Sequence, residues 1–263
     1  MSIAEIYAKN FNKQTKYYFA QWLPNSPLSL GVVGILEDGY FFRPKTTLAD
    51  LGIPFDPVND IEPDDSPTPL NLFSNKGVTM SVKLEGEVNP KIPSIPQGKA
   101  GLSLEFELEG GFVIKAPETF EPRIRDITRF EREILKAYLE KRWNRNYSVI
   151  FSLVSAPYAD IVVSQASNSK LELQAEGKGE VGNVELGNVK LQLMVKSQSG
   201  SVLNMLGSKD VYPAFQLMGL KRRLFKSPSV GLLKMLTPKA LAYLALEEKP
   251  EDLYLDLIEG SQE

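Results

Sequence analysis

Two stretches of strict alternation constrain this chain more than any other feature. Val78, Met80, Val82 and Leu84 alternate with Thr79, Ser81, Lys83 and Glu85. Leu102, Leu104, Phe106 and Leu108 alternate with Ser103, Glu105, Glu107 and Glu109. A strand turns successive side chains to opposite faces, so period 2 predicts strands with one apolar and one polar face. A proline-rich break over 90–96 separates the two, and the register flips at Gly110-Gly111, where Phe112 and Ile114 continue the second strand. More strands are expected at 148–154, 159–164, 171–176, 181–196 and 213–224. Upstream, a strand over 17–22 and a hairpin around Glu37-Asp38-Gly39 precede a proline-rich, acidic stretch at 56–69, which is loop chemistry.

Helical spacing is confined to three places. Residues 2–14 place Ile3, Ile6, Tyr7 and Phe11 on one face, with Ser2 and Glu5 spaced as a capping box. Residues 123–143 carry a stripe of Ile124, Ile127, Phe130, Ile134, Leu135 and Tyr138. From 227 onward, short helices are expected at 230–236, 239–246 and 251–258. The expected fold is α+β: a twisted, mainly antiparallel sheet, one long amphipathic helix and a short helical C-terminal tail. The main domain would span 1–226 and the tail 227–263.

Composition narrows the chemistry. The 263 residues are 43% hydrophobic and 24% charged, ordinary for a globular chain, and contain neither histidine nor cysteine. That removes Ser-His-Asp and Cys-His catalysis, thiol redox chemistry, disulfides and imidazole or thiolate metal sites. Net charge is −3, so bulk charge gives no reason to expect nucleic acid. Residues 1–12 lack the pattern of a secretory leader, and no apolar run of ~18 residues occurs, so the expected location is the cytoplasm.

The remaining candidates for chemistry are carboxylates. Glu105, Glu107 and Glu109 would sit on one side of a strand, neighbours ~6.6–6.8 Å apart, a spacing compatible with glycoside hydrolysis. Without an aromatic platform they read as a solvated face. Ser167 and Lys170 match a Ser-x-x-Lys spacing, but between strands rather than at a helix start, which reads as chance. Asp60, Glu62, Asp64 and Asp65 lack the glycine and terminal glutamate of a calcium loop and read as a plain acidic loop. No catalytic residue, metal ligand or cofactor is expected, and the chain reads as a non-enzyme.

Charge segregation is the stronger signal. Residues 123–145 hold eight Lys/Arg against four acids, residues 209–226 five against one, and residues 247–263 one lysine against seven acids. A basic helix by itself reads as a solvated face; a basic body with an acidic tail also fits a masked surface for anionic lipid headgroups. The stretches 78–88, 101–115 and 181–196, and 148–164 if Pro157 falls at a bend, also reach the ~9–11 residues of a transmembrane strand.

Over residues 78–225 the order of these elements resembles the pore-forming domain of gasdermins, especially the short bacterial ones. The resemblance is carried by VTMSVKLEGEV and GLSLEFELEGGFVIK, by the helix RIRDITRFEREILKAYLEKRW, by SVIFSLVSAPYADIVVSQASNSKLELQAE and VGNVELGNVKLQLMVKS, and by the late strand YPAFQLMGLKRR. It implies a soluble protein held inactive by its C-terminal segment until a protease removes it. The protein then oligomerises into a β-barrel pore in the cell membrane and causes cell death of the antiphage-defence type. By that resemblance Val82, Leu84, Leu104, Phe106, Leu108, Ile161, Val163, Leu191 and Leu193 lie on inserting strands. Arg123, Arg125, Arg129, Arg132, Lys136, Lys221, Arg222 and Arg223 meet anionic lipid, and activating cleavage falls near Arg223, Lys226, Glu248 and Lys249. The chain departs from the bacterial pattern in having no N-terminal cysteine to acylate, and residues 17–75 have no counterpart in it. The competing reading is a soluble binding or regulatory protein whose antiparallel sheet stays folded.

Overall fold

The structure, a computed structural model, describes residues 1–37, 40–85, 99–175, 193–222 and 253–259. For 42–45, 82–85, 99–101, 174, 175, 193, 194 and 222 it describes the backbone alone.

Helix α1 (Ile3–Thr15) begins where Ser2 accepts from the Glu5 backbone and Glu5 reaches back to the Ser2 backbone, closing the expected capping box. It leads into β1 (Tyr18–Ala20), the hairpin β2 (Val32–Glu37) and β3 (Tyr40–Thr47), then β4 (Ile61–Glu62) and β5 (Thr68–Phe73). The alternating stretches form β6 (Val78–Glu85) and β7 (Lys99–Phe106). Next come β8 (Phe112–Thr119), β9 (Arg123–Ile124), α2 (Ile127–Leu139), β10 (Tyr147–Ser164), β11 (Ser169–Ala175), β12 (Leu193–Ser199), β13 (Val202–Arg222) and β14 (Leu253–Leu257).

Every described pairing is antiparallel, and two sheets result. The spine of a ten-stranded sheet is β10 against β13, in register from Ser148↔Gly219 to Ser164↔Val202 with three bulges. Bulges bend a strand and sharpen its twist, which lets 18- and 21-residue strands curl around the core. The second sheet has four strands in the order β12-β11-β7-β6. Pleating then places three layers. Phe112, Ile114, Ile161 and Val163 of the large sheet pack with Tyr7 and Phe11 of α1. The intervening Val113 and Val162 face the other way, against Leu102, Leu104, Phe106, Leu171 and Leu173 of the small sheet. A third cluster lies under α2, where Phe130, Ile134 and Ala137 meet Val149, Phe151, Met218, Leu253 and Leu255.

Several expectations are corrected. The 123–143 helix covers only Ile127–Leu139, because Arg123 and Ile124 pair with β4 and Ser152 of β10, and the Asp126 carboxylate caps the helix through the Arg129 N–H. The strand expected to run on through Gly110-Gly111 ends at Phe106. Gly110, at φ +72°, turns the chain out of the small sheet and into the large one. Glu107 and Glu109 therefore lie in a turn and do not share a strand face with Glu105. The segments 148–154 and 159–164 are one strand, β10, and the late strand starts at Val202. Where a helix is expected over 251–258, residues 253–257 instead form β14, paired with β13 from Met218↔Leu257 to Arg222↔Leu253, while 251 and 252 lie outside the described residues. The expected helices at 230–236 and 239–246 lie outside the described residues.

Two polar groups, one buried and one half-buried, give stability predictions. The Tyr7 hydroxyl is fully buried with no hydrogen-bond partner among the described residues, and burial pushes its pKa up. Tyr7→Phe keeps the ring packing on Phe11, Trp22 and Phe112 while removing a desolvated hydroxyl. The variant is expected to gain about 1 kcal/mol, read as a higher urea midpoint at unchanged slope. A lower midpoint would show that the hydroxyl is bonded.

Lys115 of β8 lies directly across from Asp160 of β10, whose Oδ1 accepts from the Gly207 N–H at 2.7 Å. Burial brings the Lys115 amine from its ordinary 10.5 down to about 8, although Asp160 pulls the other way. Burial likewise raises Asp160, opposed by the Gly207 N–H and then Lys115. Between these two pH values the unfolded chain holds more protons at Lys115, so this group makes stability rise with pH; below about 8 its burial penalty is felt in full. Stability of the natural protein minus that of Lys115→Met is expected to grow by about 1 kcal/mol from pH 8 to 10, after discounting for partial exposure. A flat difference across that window would show the amine to be solvated.

Candidate functional site

The polar and apolar faces of the small sheet are cleanly separated. Leu104, Phe106, Leu171 and Leu173 are buried against the large sheet, while Glu105, Lys170 and Glu172 lie on the opposite face. There Lys170 bridges Glu105 at 2.9 Å and Glu172 at 3.5 Å, and Ser197 donates to Glu172 at 3.0 Å. Lys170–Glu105 and Glu172–Ser197 are cross-strand pairs, β11 with β7 and β11 with β12, and Lys170 and Glu172 are two apart on one face of β11, so together they tie the polar face across three strands. Among the described residues β6 and β12 each pair on one side only, leaving two open edges.

The structure sorts the residues expected to insert. Leu104 and Phe106 are in the small sheet's buried face, and Val82, Leu84 and Leu193 lie on its strands, described by backbone alone. Leu108 sits in the turn after β7, 52% exposed. Ile161 and Val163 are in the large sheet beneath α1, and β11 instead supplies the fourth strand of the small sheet. Leu191 lies outside the described residues.

The basic segment is already partnered. Arg129 of α2 meets Asp60 at 2.6 Å, Arg123 of β9 meets Glu62 at 2.8 Å, and Arg125 donates to the Ile61 carbonyl at 3.3 Å. The Arg129 guanidinium also lies 4.4 Å from the centroid of the Phe130 ring. Arg129 holds the Asp60 carboxyl below its usual range, and Arg123 does the same to Glu62. Asp64 accepts from the backbone N–H groups of Ser66 and Glu121. The acidic loop thus spreads its carboxylates over separate partners, and its first two acids lie against the arginines of β9 and α2. Both charge clusters are legible in the sequence but their pairing is not, because residues 60 and 129 are brought together only by the β4–β9 ladder. Arg132 and Lys136, on the outer side of α2, are exposed and have no ion pair among the described residues. Lys221 pairs with Asp256 at 3.2 Å across β13 and β14; Arg222 is described by backbone alone. Arg223, Lys226, Glu248 and Lys249 lie outside the described residues.

Beside this surface is a polar cleft of about 470 Å3, lined by Tyr18, Glu62, Asp64, Glu121, Arg123 and Gln216 among others. Its central carboxylate, Glu121, accepts from Tyr18 at 3.0 Å and from Ser152 at 2.6 Å. Burial first, then Glu121, pushes the Tyr18 phenol up to about 12.

Comparison with protein-family models and with curated proteins finds no match. Among solved structures, the chain is similar to the cryo-EM structure of the gasdermin A3 membrane pore, at 13% identity over 71% of this chain and 70% of that one, with a TM-score of 0.27. With so low a TM-score the likeness by itself decides neither fold nor function. Among the described residues no helix is long and apolar enough to cross a membrane.

Proposed function

We propose that this chain is a gasdermin-like, non-enzymatic pore-forming protein, inactive until its C-terminal segment is removed. The small sheet carries the reading. Both strand pairs of the family-like pattern contribute to it, and its four strands alternate in direction. An even number of alternating strands leaves β12 of one copy antiparallel to β6 of the next, so edge-to-edge pairing repeats without a mismatch. Closed on itself, such a ring has no edges and satisfies its backbone groups internally, as a barrel in lipid requires.

In this reading the polar face of Glu105, Lys170 and Glu172 lines the lumen, and the face of Leu104, Phe106, Leu171 and Leu173 turns to lipid. The basic residues of β9, α2 and β13 meet anionic headgroups. Cleavage within 223–252 releases β14, moving the protein from cytoplasm to membrane. A role in antiphage cell death follows from the resemblance to the bacterial members.

The test inserts a specific protease site within 223–252 and mixes the protein with dye-loaded anionic vesicles. Dye release after cutting, and none before, is the expected result. If the cut protein instead aggregates without vesicles, or keeps its tail and never releases dye, the C-terminal segment belongs to the core of a stable binding protein.

A further inference from the structure

The small sheet joins the large one through short connections, and α1 sits on two of them. Asn10 and Gln14 are one helical turn apart and share a face. The Asn10 amide donates to the Gly110 carbonyl at 3.2 Å and reaches that of Glu109 at 3.4 Å, where the chain leaves β7. The Gln14 amide donates to the Phe73 carbonyl at 2.6 Å and accepts from the Asn75 N–H at 3.2 Å, where the chain approaches β6. One helix face thus grips both ends of the β6–β7 hairpin. The seat is tight: a side chain at Gly110 would meet the Ile6 Cγ2 at 2.5 Å and the Asn10 amide nitrogen at 2.9 Å. Tyr7 and Phe11, on the adjoining stripe, anchor the helix on Phe112, the first residue of β8.

The far end of α1 touches the C-terminal segment. Lys16, with φ +66°, turns the chain out of the helix and donates its N–H to the Asn12 carbonyl. Beyond that turn Tyr17 donates to Glu259 at 2.9 Å, and Lys16 lies 3.7 Å from the same carboxylate. Glu259 is two residues past β14, and between them the Ile258 N–H is bonded to the Leu217 carbonyl of β13. A continuous set of contacts therefore runs from β14 through the C-terminal end of α1 to the two connections of the hairpin.

We infer that α1 is the latch holding the β6–β7 hairpin in its packed position, and that the C-terminal strand keeps the latch seated through Glu259. The inference rests on the pore-forming reading for its purpose, but its mechanics stand apart from it. Hydrogen exchange on the intact protein, without vesicles or protease, reads the latch directly. Asn10→Ala with Gln14→Ala is expected to speed exchange of the amides at 78–81 and 102–106 roughly tenfold or more, while the β10–β13 amides at 149–153 and 215–218 stay unchanged. Gly110→Ala, which wedges Ile6 off the turn, is expected to act in the same direction. Gly207→Ala is its control, since Gly207 has φ +60° but nothing within 4 Å of an added side chain. Glu259→Gln is expected to speed exchange at 14–18 and, by a smaller factor, at 78–81.

Unchanged exchange in the hairpin for both the double variant and Gly110→Ala would overturn the latch. So would equal acceleration by Gly207→Ala. A response to the α1 variants with none to Glu259→Gln would keep the latch and remove its link to β14. Dye release by cut natural protein, scored separately, decides the pore reading alone. Latch variants that respond in exchange while no cut protein ever leaks would leave α1 as a clamp in a protein that does not insert.

Discussion

Replacing Leu253 and Leu255 with aspartate is expected to free the C-terminal strand and produce vesicle leakage with no protease present. Both leucines are buried under α2, and the Leu255 N–H also bonds the Glu131 carboxylate. Each loses about 2–3 kcal/mol of apolar burial, and each new carboxylate would enter that cluster unpaired. The sum exceeds what a five-residue ladder supplies at about 1 kcal/mol net per hydrogen bond. Exchange at 253–257 and at 218–222 should rise together, since the two strands protect each other. A strand that detaches by exchange while the protein stays latent would show that β14 is not what restrains it. Cutting the 223–252 connection is the milder version: it leaves the contacts but makes the association bimolecular, so the strand leaves at low concentration.

The second large effect concerns α2. Arg132→Glu with Lys136→Glu changes the surface by four charges at positions that are exposed and unpaired among the described residues. At roughly 1 kcal/mol per basic residue near an anionic surface, the reversal is expected to weaken vesicle binding of the cut protein by up to about three orders of magnitude. The effect should shrink as salt rises. Arg123 and Arg129 require a different manipulation, because Glu62 and Asp60 lie against them. Asp60→Asn with Glu62→Gln is therefore expected to strengthen binding. Sedimentation with vesicles checks both variants. Binding that ignores the reversal would show that Arg132 and Lys136 only solvate the helix.

Local chemistry made much of the fold legible. Ser2 and Glu5 sit in one turn, so the capping box of α1 needs nothing beyond neighbouring residues. The alternation at 78–84 and 102–106 likewise follows from pleating alone, and it correctly marked which face of β7 is buried. The misread elements are those whose local signal is short or shared. Arg123 and Ile124 continue the helical stripe of α2 by spacing, but a ladder with β4 and Ser152 claims them. Leu253, Leu255 and Leu257 alternate as plainly as β6 does, yet five residues beside a helix-like stretch do not announce a strand until an edge of β13 is there to receive them.

The candidate surface divides the same way. Both charge clusters are written in the chain, because charge is a property of side chains. Which acid meets which arginine is not, since Asp60 and Arg129 are far apart in sequence and are placed by strand pairing. The sequence by itself determined the alternating strands, the two amphipathic helices and the absence of histidine and cysteine chemistry. Tertiary structure alone decided that β6, β7, β11 and β12 form one sheet, with open edges among the described residues, that α1 grips its connections, and that 253–257 form a strand. The physical reason is range. Periodicity and capping act within a few residues, whereas strand partners, sheet edges and ion pairs between distant segments are settled only when the whole chain competes for the same core.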